Sequence, residues 1–443
     1  MDIKLSESFT YKKLLRFTLP SIVMMIFTSI YGVVDGFFVS NFVGKTPFAA
    51  VNFIMPFLMI LGAIGFMFGT GGSALVSKTM GEGDPEKAKR IFSLLIYVST
   101  ACAVVIAVVG IALLRPLASL LGAEGEMLEN CVRYGRIILI ALPAYVLQFE
   151  FQSFFVTAEK PQLGLAFTVA AGVTNMVLDA LLVAVFPLGL EGAAAATAIS
   201  QAVGGIAPLV YFARPNKSLL RLTKTRFDGK ILLKTCTNGS SELMSNISMS
   251  LVGMLYNVQL MKYAGEDGVA AYGVLMYINM IFLAAFIGYS VGTAPVIGYH
   301  YGAQNHAELK SLLSKSVRII SVFAVCMFAL AEILARPLAS IFVGYDAGLT
   351  ELTVRAFSIF SFAFLFAGFS IFGSSFFTAL NNGLISAAIS FLRTLVFQIA
   401  AVLILPLIFD IDGIWYSIVV AEVVSVIVTA IFIFTKRKKY GYM

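Results

Sequence analysis

The chain has 443 residues, of which 59% are hydrophobic and only 12% charged, and its mean hydropathy is +0.92. Soluble domains carry about 25% charged residues, so a soluble fold is excluded and an integral membrane protein is expected. The net charge of +7 does not point to nucleic acid, because Lys and Arg collect in the cytoplasmic loops of membrane proteins.

The first predicted element covers 14–42 and begins LLRFTLPSIVMMIFTSIYGVVDGFFVSN. It is long enough to cross a bilayer, which takes about 20 residues. One full charge, Asp35, sits deep inside it. A carboxylate at that depth is costly and marks a functional site by default. Thr28, Tyr31 and Asp35 follow i, i+3, i+7 spacing and share one helical face.

Eleven further apolar spans follow, at roughly 47–77, 91–114, 131–157, 164–186, 190–213, 236–263, 268–298, 312–335, 352–379, 385–407 and 412–435. Each approaches or exceeds the length that a helix needs to span a membrane. A barrel would show short alternating segments instead. The expected fold class is therefore an all-α membrane protein with twelve transmembrane helices. With the amino terminus inside, 23 Lys and Arg fall on the cytoplasmic side and seven on the outer side, with Arg393 left inside the eleventh span. That bias places both termini in the cytoplasm. The first apolar run is too long for a cleavable signal peptide and no small-residue cleavage site follows it.

Segment 214–234 carries seven basic residues and divides six spans from six. It reads as a cytoplasmic linker between a first lobe, 1–213, and a second, 235–443. Its basic and apolar mixture suits a solvated or headgroup-binding connector. The two lobes are repeats. Arg115-Pro116-Leu117-Ala118-Ser119 recurs as Arg336-Pro337-Leu338-Ala339-Ser340, an offset of 221. The same offset maps Gly71 to Gly292, Gly81 to Gly302, Phe155 to Phe376, Thr157 to Thr378 and Gly192 to Gly413. Six spans per unit give both lobes the same orientation, the parallel-repeat plan of transporters, with substrate held between the halves.

The repeat also shows where the lobes differ. Under the offset, Asp35 becomes Tyr256, Asp179 becomes Ala400 and Glu150 becomes Ile371. Deep acids kept in one lobe only suggest that ion coupling sits there. Asp179 lies in the fifth span, one turn beyond Asn175 on the same face. Thr197 of the sixth span is positioned to complete a polar cluster with them and Asp35. Two neighbouring carboxylates in an apolar setting favour protonation of one. Alternatively the oxygens of Asp35, Asn175, Asp179 and Thr197 hold Na⁺, a hard cation. An inert hydrogen-bonded pair that fixes helix packing is the bland reading.

In the fourth span Tyr145, Gln148 and Gln152 form one polar stripe. Glu150 is about 200° round the helix from each Gln, so it faces elsewhere, toward a second water path or a base. In the seventh span Asn246, Ser250, Gly253 and Asn257 share a stripe that fits a second-lobe cavity wall as well as it fits interhelical hydrogen bonding. Tyr31 and Tyr256 are further candidates for the cavity. Glu242 and Glu422 lie in the seventh and twelfth spans, and Arg393, near a cytoplasmic end, reads as snorkelling. Four scattered cysteines without a CxxC pair fit neither a zinc site nor a disulfide framework. There is no Walker motif, no HExxH and no GxSxG, so neither ATP-driven transport nor an enzyme is expected, and no cofactor beyond a coupling H⁺ or Na⁺.

These residues resemble the MATE (multidrug and toxic compound extrusion) transporters over essentially the whole length. The resemblance rests on the two six-span lobes, on LPSIVMMIFTSIYGVVDGFFVSNFVG, and on the pair ALVSKTMGEGDPEKAKR and APVIGYHYGAQNHAELKS. It implies antiport, in which a cationic or amphipathic compound leaves as H⁺ or Na⁺ enters. In prokaryotic members with first-lobe acids, coupling uses the positions held here by Asp35, Asn175, Asp179 and Thr197. The expected protein is thus a monomeric efflux antiporter of the cell membrane, working by alternating access. A lipid-linked saccharide flippase of related two-lobe plan is the alternative. Such flippases tend to carry extra helices and a strongly cationic cavity, whereas Arg393 is the one clear basic candidate inside a span here.

Overall fold

The computed structural model describes residues 3–442, apart from the side chains at 40, 45 and 48. Among the described residues every regular element is helical. The helices are α1 Tyr11–Phe38, α2 Lys45–Gly81, α3 Pro85–Leu120, α4 Gly125–Thr157, α5 Pro161–Asp179 and α6 Gly189–Ala213. After an irregular connection, one continuous run, Gly229–Gly302, covers 74 residues. At 1.5 Å per residue this is far longer than one crossing needs. It breaks at Gly265, whose φ of 62° and ψ of −150° are non-helical. The break gives α7, 229–264, and α8, 266–302. There follow α9 His306–Val343, a bent α10 made of Ala347–Ser361 and Phe364–Ala379 at 50°, α11 Gly383–Ile404 and α12 Pro406–Tyr440. Counted this way the described chain crosses twelve times.

The duplication reaches into local geometry. Asp84 caps α3 by accepting from Lys87 N, and Asn305, its counterpart at offset 221, caps α9 by accepting from Glu308 N. A side-chain oxygen at this position satisfies one of the backbone donors that a helix start leaves open. The residues just before these caps, Gly83 and Gln304, both have positive φ. Arg115 pairs with Glu129 and Arg336 with Glu351 at the matching turns.

Burial separates the described residues into three large apolar cores and a small one, Met24, Met25 and Ala284, between α1 and α8. One is shared by both halves and includes Phe17, Val76, Phe92, Tyr289 and Phe376. A second, with Val39, Ile54, Leu139 and Val183, belongs to the first half alone. A third, with Val252, Leu275, Phe357 and Trp415, belongs to the second half alone. The halves are therefore joined at one end and separate at the other.

Glycine marks the same division. A Cβ added at Gly71 or Gly239 would strike the backbone carbonyl of Thr235 or Met67 in the opposite half, and one at Gly81 or Gly302 that of Tyr299 or Lys78. Helix backbones touch there only because no side chain intervenes. At Gly32, Gly36, Gly253 and Gly273, toward the other end, nothing lies within 4 Å. Asn381 ties the joined end, donating to Ala74 O at 3.1 Å and accepting from Asn238 Nδ2 at 2.7 Å.

The described residues before α1 and after α12 pack at this seal, with Leu5, Phe9 and Tyr442 in the shared core. The segment before α1 crosses it as a strap. Leu5 N donates to Glu159 Oε1 at 2.6 Å in the first half, and Phe9 N donates to Glu308 Oε1 at 2.8 Å in the second. Leu5 and Phe9 are buried beneath it.

Candidate functional site

Asp35 lies in the C-terminal part of α1, four residues before that helix widens into a π-turn at Val39–Val43. Asp179 ends α5, and a second π-turn, Ala180–Val185, starts at the next residue. Single π-turns inside helices recur at functional sites, because the extra residue re-aims the side chains around it. Between these turns the two acids come together. Thr197 of α6 donates its hydroxyl to Asp35 Oδ1 at 3.3 Å. Asp179 and Asn175 of α5 are neighbours of the Asp35 carboxyl. The four residues from α1, α5 and α6 thus form one cluster.

Their exposure is unequal. Asp35 and Thr197 are half-buried, while Asp179 and Asn175 are fully enclosed. Neither Asp179 oxygen, nor Asn175 Oδ1, meets a hydrogen-bond donor among the described residues. No ion pair reaches either acid among them. Two ionised carboxylates in this position would repel each other without compensation. A proton on one of them turns the repulsion into a hydrogen bond. A small cation held by the surrounding oxygens would serve the same end.

Tyr31, one turn from Asp35, accepts from Gln148 Nε2 of α4 at 3.4 Å. Two glycines make the space for this pair. A Cβ at Gly172 would fall 2.9 Å from Tyr31 Cδ1, and one at Gly204 would fall 2.7 Å from Gln148 Cδ. Tyr145 packs edge-on against Phe149 at 4.8 Å and lies over Gly62 of α2. Gln152 is buried with neither amide atom paired. Glu150 stands apart from the stripe. It is fully buried on the α3 side, where Ser99 donates to its Oε2 at 2.6 Å. It therefore meets a hydroxyl rather than a base, and it does not join the acid cluster.

The second half holds no counterpart of the acid pair. Tyr256 is buried, stacks on Tyr272 at 5.2 Å and donates to Gln398 Oε1 at 2.7 Å. Asn246 Nδ2 is spent on Glu242 O of its own helix at 2.8 Å, and Asn257 is exposed. Arg393 does not snorkel. Its Nε donates to both Glu422 oxygens, at 3.0 and 2.9 Å, and the two side chains are 14% and 6% exposed. A third π-turn, Leu392–Val396, carries the arginine. The apolar pattern gave no sign of this pair, because partners on different helices leave no spacing signal.

A duplicated helical bundle whose first half brings two acids together without a base, while the buried acid of the second half, Glu422, is neutralised by Arg393, fits the architecture of a secondary transporter. The MatE family model matches the chain twice, over residues 20–181 and 243–404. The chain belongs to the MatE family, and on that membership it is a multi-pass membrane transporter and not an enzyme. It is 25% identical over 441 residues to the multidrug export protein MepA of Staphylococcus saprophyticus, covering 98% of this chain and 95% of that one. Among solved structures it is similar to a MATE transporter crystallised with MaL6, with a TM-score of 0.94, 22% identity, and 99% and 98% of the two chains covered. An outward-facing multidrug resistance MATE transporter superposes with a TM-score of 0.93 at 23% identity, over 99% and 98% of the chains.

Proposed function

We propose that this protein is a multidrug efflux antiporter that exports cationic or amphipathic small molecules in exchange for protons, with both termini in the cytoplasm. The observation that carries the reading is the Asp35–Asp179 approach, made without any base and confined to one half. A cluster that needs one positive charge, at a boundary between buried and accessible, is a device for taking up and releasing that charge. A shared proton suits it, since neighbouring carboxylates in an apolar setting favour protonation of one. The family membership and the names of the MepA relatives support drug export.

The bias of Lys and Arg in the loops supports a cytoplasmic joined end, and in this reading the halves part toward the outside. In the proposed cycle, protonation of the pair from the outside lets α1 and α5 repack and releases the drug. Deprotonation on the inside resets the site. The flippase alternative is not favoured, because the guanidinium of Arg393 is already neutralised by Glu422.

The test is efflux by the purified protein in liposomes with pH and Na⁺ gradients imposed separately. A proton gradient alone should drive drug accumulation. Transport that follows Na⁺ and ignores pH would overturn the proton version.

A further inference from the structure

At the joined end a cavity of about 290 Å³ opens between α2, α3 and α7. Lysines from both halves line it: Lys78 and Lys87 from the first, Lys230 and Lys234 from the second. Glu82 is the only acid in the lining, and it pairs with Lys78 at 3.3 Å. Lys234 Nζ donates to Asn381 O at 2.6 Å, within the tie that holds the seal. The ammonium groups of Lys87 and Lys230 have no ion pair among the described residues. Lys439 adds a further positive charge near Lys234. The seal therefore brings like charges from the two halves face to face.

Apolar side chains stand beside these lysines. Phe227 is 78% and Leu233 is 70% exposed. Large apolar groups next to lysines, at the end of a membrane helix, suit the depth where acyl chains give way to phosphates.

We infer that this cavity is a site for a phosphate-bearing anion, supplied by the headgroup of an anionic phospholipid, and that its occupancy favours the sealed conformation. One anion between Lys87 and Lys230 turns repulsion across the seal into attraction from both sides. When the halves part at this end, the lysines separate and the site is lost. Binding to one conformation only must shift the equilibrium toward it. The inference rests on the seal and not on the coupling reading, so it stands or falls separately.

The experiment uses the full chain in nanodiscs, with spin labels at Glu86→Cys and Lys310→Cys in a background whose native cysteines are replaced. Distances are read in phosphatidylcholine alone, with phosphatidylglycerol added, and with millimolar inorganic phosphate but no anionic lipid. Phosphatidylglycerol should enrich the short, sealed distance. In the Lys87→Gln/Lys230→Gln variant the lipid needed for that enrichment should rise roughly tenfold. Lys87→Glu should seal in phosphatidylcholine alone, because Lys230 then gains a partner within the protein. Sealing by inorganic phosphate without anionic lipid would overturn the lipid as the source. An unchanged distance distribution on adding phosphatidylglycerol, or an equal response in the double variant, would overturn the site.

Discussion

Tyr256 donates its hydroxyl to Gln398 at 2.7 Å in the second half, at the place where Asp35 approaches Asp179 in the first. Tyr256 is the offset partner of Asp35, and Gln398 lies on α11, which answers to α5. The contact between the first helix of a half and its fifth is thus kept in both. In one half it is a neutral hydrogen bond, and in the other it brings two carboxyl groups together. The coupling proposal depends on this asymmetry.

The first expectation concerns the acids. Asp35→Asn should still accept from Thr197 through its amide oxygen, so the protein should fold and reach the membrane. Without an ionisable group there, proton-driven drug uptake into inverted vesicles should fall to the level of empty vesicles. Asp179→Asn should behave alike, whereas Glu150→Gln, which still accepts from Ser99, should transport normally. Full activity in both Asp variants would remove the pair from the mechanism.

Thr197 tests how closely the cluster is tuned. Its hydrogen bond to Asp35 is long, at 3.3 Å, and a bond of that kind contributes about 1 kcal/mol. Thr197→Ala should therefore shift the apparent proton affinity of transport by roughly fivefold, with Thr197→Ser restoring it. The pH profile of efflux is the measurement. A merely structural threonine would change expression and leave the profile in place.

The bundle and the first-half acids were legible in the sequence, because a charge within a long apolar run is rare and because the 221 offset needs no gap. The break at Gly265 falls in the gap between the spans read as 236–263 and 268–298. The π-turns were not legible, as they rest on one extra residue in a turn and carry no residue signature. They also explain why Gln398 escaped notice. In α11 the π-turn precedes Gln398, while in α5 it follows Asp179. A fixed offset then compares different helix faces and returns Ala400. The Arg393–Glu422 pair was missed for another reason: hydropathy ranks each helix alone and says nothing about which helices touch.

The seal makes a contrasting pair of predictions at glycine. Gly239→Leu puts a side chain where the backbone of Met67 lies, so the joined end should open. Cysteine labelling from the side of the termini should then reach the cleft. Gly253→Ala, with nothing within 4 Å, should leave labelling unchanged and gain up to about 1 kcal/mol from helix propensity. Equal effects at the two positions would mean that the halves do not meet as described.

The Arg393–Glu422 pair sets the last test. Both side chains are nearly enclosed. Removing one partner leaves the other buried and unpaired, which costs about 3–5 kcal/mol. Arg393→Met and Glu422→Met should each lower the melting temperature in detergent markedly. The double variant removes both charges and fills the volume with flexible apolar chains, so most of the loss should be recovered. If the double variant regains stability and also transports, the pair is a helix fastening between α11 and α12. If it regains stability but loses efflux, the second half carries a charge that the cycle needs, and coupling through the first half alone is refuted.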